Sequence, residues 1–258
     1  MGNFSPVSQA LEQEVRRATE QIPIAEFSEK DIFVVGYPKS GHTWFQNLSA
    51  GLLYSIDPEC TPDTVIQELI PDVHCKRFYK RFGTPMIFKS HDLPRHEYRR
   101  VVYLLRDGRD VAVSHSHHIS AVHRLPKDER WDSIEADARR WADHVTAWME
   151  NRHGAALLTI RFEDLLADPE RELRRFCDFA ELDRSDENLR FVAKQTSFEK
   201  MRAKEIASGW DNRDWPRDQA FIRRGITGSY KDEMPPAALE SFERHAGRTL
   251  RRWGYPPG

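Results

Sequence analysis

Cysteine is scarce in this chain of 258 residues: Cys60, Cys75 and Cys177 are the three, and no two form a C-x-x-C pair. So few thiols, so placed, exclude a disulfide framework and point to a reducing compartment. Long apolar runs are missing as well. Nothing approaches the ~20 residues of a membrane helix, and the N-terminus lacks the apolar core of a signal peptide, so a cytoplasmic protein with no membrane span is expected. Met1-Gly2 opens like a myristoylation signal, but Pro6 stands where Ser or Thr is required. Charge of one sign is not in excess: 39 Lys and Arg face 41 Asp and Glu, for a net −2. No global field therefore favours nucleic acid or anionic membrane, and any anion site must be local. Metal-ligand spacing is absent too. His115, His117 and His118 crowd one stretch without an H-E-x-x-H pattern, and no metal is expected.

What is present centres on Tyr37-Pro38-Lys39-Ser40-Gly41-His42-Thr43-Trp44. The apolar run Ile32-Phe33-Val34-Val35-Gly36 before it reads as a buried parallel strand, and Trp44, Leu48 and Leu52 after it fall on one helix face. Amides at such a helix start lack partners and carry the positive end of the macrodipole, so the loop is built to hold an anion, most plausibly a phosphate. The spacing nearly matches the P-loop pattern G-x-x-x-x-G-K-[ST], with Gly36, Gly41 and Thr43 in place. His42 occupies the lysine position, and the lysine has moved back to Lys39, which disfavours an ordinary ATPase.

Further strands follow. Met86-Ile87-Phe88-Lys89 delivers Ser90, His91 and Asp92 to its carboxyl end, and Val101-Val102-Tyr103-Leu104-Leu105 delivers Arg106. Asp107 caps the next helix, on which Asp110 and Ser114 lie. Ala155–Ile160 is a strand ending in Arg161-Phe162-Glu163-Asp164. Helices are expected over residues 8–22 as a packing element within 1–30, from Ser133 through Trp148, from Pro169, and from Leu239 to Trp253. Ser55 to Pro85 reads as irregular or short-helical and as a candidate substrate wall. Residues 205–231 read as a nucleotide-covering segment, with 205–220 lacking any periodicity. The whole chain, 1–258, fits a single α/β domain with a central parallel sheet flanked by helices and a P-loop-like anion-binding loop.

The loop, its strand and its helix resemble the 5'-phosphosulfate-binding loop of sulfotransferases that use 3'-phosphoadenosine 5'-phosphosulfate (PAPS). Other stretches resemble that family in the same order. Lys89-Ser90-His91-Asp92-Leu93-Pro94 is similar to its Lys-Thr-His triplet followed by Leu-Pro, with Ser90 for threonine and Asp92 extra. Arg106 and Ser114 resemble its 3'-phosphate pair. Phe162 stands for the tyrosine of Tyr-Glu-Asp, and Thr196-Ser197-Phe198 matches Thr-Ser-Phe. Phe221-Ile222-Arg223-Arg224-Gly225 leads a segment similar to Arg-Lys-Gly-x-x-Gly-x-Trp-Lys, with Arg224 for lysine and Tyr230 for tryptophan. Two adjacent arginines ahead of glycines suit a phosphate, since guanidinium donates in parallel pairs.

The resemblance implies sulfuryl transfer from PAPS to a hydroxyl or amine of a small-molecule acceptor, with His91 as general base and Lys39 and Lys89 as catalytic cations. It implies cofactor binding by Lys39, Ser40, Gly41, His42, Thr43, Trp44, Arg106, Ser114, Phe162, Thr196, Phe198, Phe221, Ile222, Arg223, Arg224 and Gly225. The family's dimer element is altered: Lys231 and Glu240 are in place, but Pro235-Pro236 replace Thr-Val and remove backbone donors. Phe78, Tyr79, Phe82 and Trp131 are candidates for an apolar acceptor wall or for core packing. Two other readings stay open, a P-loop kinase of a small metabolite and a nucleotide-binding protein without turnover.

Overall fold

The computed structural model describes residues 13, 14, 16–124, 126, 129–209, 215, 216 and 218–258. In chain order the elements are β1 (Gln21–Pro23), β2 (Ile32–Val35), α1 (His42–Tyr54), α2 (Asp63–Leu69), β3 (Phe78–Lys80), β4 (Ile87–Ser90), β5 (Arg100–Leu105) and α3 (Gly108–His123). After a 3-10 turn (Glu129–Trp131) come α4 (Ile134–Glu150), β6 (Ala156–Arg161), α5 (Phe162–Ala167), α6 (Pro169–Ala180), α7 (Asp186–Gln195), α8 (Phe198–Ser208), α9 (Tyr230–Glu233) and α10 (Pro236–Arg252).

Strands β4-β2-β5-β6 pair in that order, all parallel. β2 lies between two partners, and each of its four residues is completely buried. A strand buried on both faces needs no polar alternation, which is why Ile32–Val35 reads as one apolar run. Its side chains divide between two cores. Phe33 and Val35 join Tyr103, Trp141, Trp148 and Phe242 on one face, and Ile32 and Val34 join Leu48, Leu104, Phe176 and Val192 on the other. Burying a side chain of this size contributes about 1.5–3 kcal/mol, so both helical layers are held by the sheet. Because the strands are parallel, the segments leaving β2, β4, β5 and β6 emerge at one edge. Those segments carry Lys39, His91, Arg106 and Phe162.

Several local expectations need correction. Leu11 and Val15 of the expected N-terminal helix lie outside the described residues. Ile22 is not helical; it pairs with Tyr79 in a two-stranded antiparallel sheet of β1 and β3. Ser55 to Pro85 therefore holds a strand as well as a helix, and the β1 pairing is what makes three residues of it extended. Ser133 stands at the start of α4, but its hydroxyl donates to Asp137 Oδ2 (2.8 Å) rather than accepting a backbone amide. Residues 205–208 belong to α8. Asp107 does cap α3, accepting from Arg109 N at 2.9 Å. Pro235 and Pro236 open α10, where a missing N–H costs nothing. Among the described residues no helix is long and apolar enough to cross a membrane.

Candidate active site

The loop after β2 turns tightly enough to need left-handed backbone twice, at Lys39 (φ 72°) and Gly41 (φ 103°). Gly41 precedes α1 and passes beneath Phe162, where a Cβ would lie 2.9 Å from ring atom Cδ2. Only glycine satisfies both demands. The amides at the start of α1 then have no partner within the helix and form an anion cradle.

A cavity of about 540 Å³ opens over this cradle. Lys39, Gly41, His42, Thr43, Trp44, Lys89, His91, Arg106, Ser114, Phe162, Thr196, Phe198 and Phe221–Gly225 all line it. The structure thus brings together every candidate site residue except Ser40. Ser40 is buried beneath the loop, and its amide donates to Tyr37 O (3.2 Å), so that N–H holds the turn instead of facing the cavity. The lining has five Lys and Arg, four His and no carboxylate. Unlike the chain as a whole, it is strongly cationic.

Burial is the main reason this charge is unusual. Lys39 is desolvated and flanked by Arg106 and Lys89, which brings its pKa down to about 8. Its ammonium sits over the Phe221 ring at 4.7 Å. Arg106, buried and likewise lowered mainly by desolvation, stacks over Phe162 at 4.2 Å. It donates to Lys39 O (3.2 Å) and Ile226 O (3.3 Å), while its Nε has no partner among the described residues. The neighbouring Asp107 carboxylate is taken by the buried Arg109, which also donates to Glu243.

His91 is fixed from several directions. Its Nδ1 donates to Gly36 O (2.9 Å), which leaves Nε2 with the lone pair. Its backbone N–H donates to His74 Nε2 (3.0 Å), and its carbonyl accepts from His144 Nε2 (3.2 Å). His144 Nδ1 in turn accepts from the Tyr103 hydroxyl at 2.9 Å. Burial, then Lys89, lowers the His91 pKa to about 4, against the smaller raising effects of Gly36 O and Asp72. His91 is therefore neutral at pH 7. Lys89 is held 2.8 Å from Asp72 Oδ2. His42 lies edge-on to His91, ring centroids 4.3 Å apart, is almost fully buried, and has both ring nitrogens unpaired among the described residues. Burial and the nearby His91, Lys89, His144 and Lys39 hold it neutral.

Aromatic rings complete the lining. Trp44 meets Phe162 edge to face (5.7 Å) and donates its indole N–H to Thr196 O at 2.9 Å. The Thr196 hydroxyl bonds back to Val192 O, and the residue is wholly buried behind Trp44. Gly225 (φ 61°) runs so close to Phe198 that a Cβ would lie 2.3 Å from the ring.

Pro38, His115, His118, Ile119, Leu166, Met201 and Ile226 also line the cavity and were not foreseen. His118 lies four residues beyond Ser114 on α3, so helical spacing from Ser114 would have named it. Asp72, His74, His144 and Glu233 reach the site only through tertiary contacts, for which the sequence carries no local signal. Phe78, Tyr79, Phe82 and Trp131 do not line the cavity. Tyr79 packs in the core beside β4, Trp131 packs against the same core, and Phe82 faces solvent. His115 and His117 face Asp137 and Glu233, and among the described residues no group of three or more His, Cys, Asp or Glu could hold a metal.

Comparison with known proteins identifies the fold and the family. The chain is 26% identical over 236 residues to sulfotransferase 2A1 of Macaca fascicularis, covering 84% of this chain and 82% of that one. With sulfotransferase 1A1 of Bos taurus it shares 28% over 254 residues, 86% of each. Retinol dehydratase in complex with androsterone and the inactive cofactor PAP superposes with a TM-score of 0.67 at 20% identity, over 88% of this chain and 82% of that one. Mouse sulfotransferase SULT7A1 complexed with PAP gives 0.64 at 19%, over 89% and 87%. The parallel sheet and its loop edge are thus the fold of these enzymes. A model of the sulfotransferase domain matches residues 29–254, nearly the full length, and the chain belongs to that family.

Proposed function

We propose that the chain transfers a sulfuryl group from PAPS to the hydroxyl or amine of a small molecule, with His91 as general base. The observation that carries this reading is the cavity lining itself, five Lys and Arg with no carboxylate beside aromatic rings, and a neutral, oriented imidazole at one end. Such a donor set fits a polyanionic nucleotide. The unpaired Arg106 Nε and the free amides at the start of α1 give phosphate oxygens partners that the protein alone does not supply. Solved relatives at 19–20% identity are complexed with PAP, which supports the same donor here.

When bound, the donor supplies the sulfuryl group and a phosphate leaving group. The protein's part is positioning and charge neutralisation, as in phosphoryl transfer, with side-chain cations where a kinase uses Mg²⁺. The amides of His42, Thr43 and Trp44 hold the 5' end, and Arg106, Ser114, Arg223, Arg224 and Gly225 hold the 3'-phosphate. Trp44, Phe162 and Phe198 wall the base. Lys39, desolvated and cationic below about pH 8, stabilises charge on the bridging oxygen. Lys89, anchored by Asp72, faces the sulfuryl oxygens. His91 Nε2 accepts the acceptor's proton, and Gly36 O steadies the resulting imidazolium through Nδ1–H. With the neighbouring cations neutralised, the main charge that depresses His91 is removed and its proton affinity rises.

Calorimetric titration with 3',5'-adenosine bisphosphate, beside ATP with Mg²⁺, tests the donor assignment. Micromolar binding, about −8 kcal/mol, that exceeds ATP and collapses in Arg106→Ala is the expected result. A preference for ATP with Mg²⁺ that ignores this mutation would overturn the assignment and restore the kinase reading.

A further inference from the structure

Arg223 and Arg224 line the cavity, yet both already hold a carboxylate that lies outside it. Arg223 Nη1 donates to both oxygens of Glu233 (2.7 and 2.6 Å), and Arg224 Nη1 donates to Oε1 (2.9 Å). On the opposite side Glu233 Oε2 stands 2.7 Å from His117 Nε2, on the same helix as Ser114. Two guanidiniums and an imidazole converging on one anion is the arrangement by which proteins bind phosphate. Burial would raise the Glu233 pKa, but the bonds from Arg223, His117 and Arg224 outweigh it and hold the group at about 2.

The carboxylate is also held in place. Glu233 belongs to α9, whose start is fastened to α3 by Asp110, which accepts from Gly228 N (2.7 Å), the Ser229 hydroxyl (3.1 Å) and Tyr230 N (3.0 Å). The backbone that carries Glu233 is therefore fixed relative to α3, and three donors hold its side chain. Each arginine gives it one nitrogen. Nε and Nη2 of Arg223 make no hydrogen bond or ion pair among the described residues, so an incoming anion finds donors but shares the guanidinium with a resident negative charge.

We propose that Glu233 is an affinity-setting residue of the nucleotide site: its carboxylate stands in for a phosphate on Arg223 and Arg224, and so weakens retention of the 3'-phosphorylated product. This rests on the PAPS reading given above. The site then starts with part of its positive charge compensated, and the arginines stay ordered between turnovers. A like charge fixed beside the 3'-phosphate lowers affinity for that group and for no other part of the nucleotide to the same degree.

The experiment compares wild type, Glu233→Gln and Glu233→Ala by calorimetric titration with 3',5'-adenosine bisphosphate and with AMP, which lacks the 3'-phosphate. Both variants should bind the bisphosphate about three- to tenfold more tightly, with AMP changed less than about twofold. Inhibition of turnover by the bisphosphate should strengthen in parallel. Unchanged or weaker bisphosphate binding in variants that melt cooperatively, with wild type still preferring the bisphosphate over AMP, overturns the role of Glu233 alone. If wild type shows no such preference, the nucleotide assignment fails and this inference falls with it. The alanine variant keeps the test decisive should the glutamine variant not fold, because Glu233 lies at the end of a short surface helix.

Discussion

Replacing His91 by asparagine separates catalysis from binding more cleanly than any other change at the site. Asparagine places an amide N–H where Nδ1–H now donates to Gly36 O, so the anchoring bond is retained while the basic Nε2 is lost. A general base contributes about 10²- to 10⁴-fold, that is about 3–5 kcal/mol of transition-state stabilisation. Turnover should fall by that factor, with bisphosphate affinity within about twofold of wild type, because His91 carries no phosphate contact in the scheme. Stability supplies a second readout. The folded-state pKa of about 4 lies below the ordinary 6.5, so between these values the unfolded chain binds more protons. The contribution is complete above about pH 6.5, is lost as pH falls toward 4, and is on the order of 3 kcal/mol. The asparagine variant should show a shallower loss of stability over that window in denaturant titrations. Turnover within tenfold of wild type, or nucleotide affinity falling in step with turnover, would refute the assignment of His91 as base.

Lys39 sets an alkaline limit. With its pKa at about 8, donor kcat/KM should decline above pH 8 as the ammonium is lost, and Lys39→Arg should move that limb upward even as it lowers the maximum; a profile flat to pH 10 would exclude a cationic role for Lys39. Arg109 tests the scaffold instead. It is wholly buried between Asp107 and Glu243 and over the Tyr230 ring at 4.1 Å, so Arg109→Ala leaves two carboxylates unmatched and should cost about 3–5 kcal/mol in urea unfolding.

The architecture was legible because its signals are local. Ile32–Val35 and Val101–Leu105 are apolar runs that only a sheet covered on both faces can bury, and the segments they release were named with them. The glycine spacing and lysine of the loop were equally plain. What the sequence could not display were partners brought from afar. Asp72 meets Lys89, His74 and His144 hold the backbone of His91, and Glu233 reaches Arg223, each through a contact that neither periodicity nor spacing encodes. Short aromatic clusters were ambiguous for a related reason. Phe78 and Tyr79 alternate along an edge strand, so one ring packs in the core and the other beside Arg77, away from the cavity. Ser40 shows the limit of motif transfer, since a residue in the right place can spend its amide on the turn.

Arg106 joins the first and last parts of this site by donating to Lys39 O and Ile226 O. Those two carbonyls lie far apart in the sequence, and nascent chains ending before the Arg223–Gly225 segment lack part of the cavity lining. Contacts of such long sequence separation form late in folding. The clustered cations repel one another, and a bound polyanion relieves that repulsion. Nucleotide present at 100 times its dissociation constant adds about 2.7 kcal/mol to the folded state. The nucleotide is thus also a stabiliser of the fold: at that concentration the unfolded population is about a hundredfold smaller than in its absence.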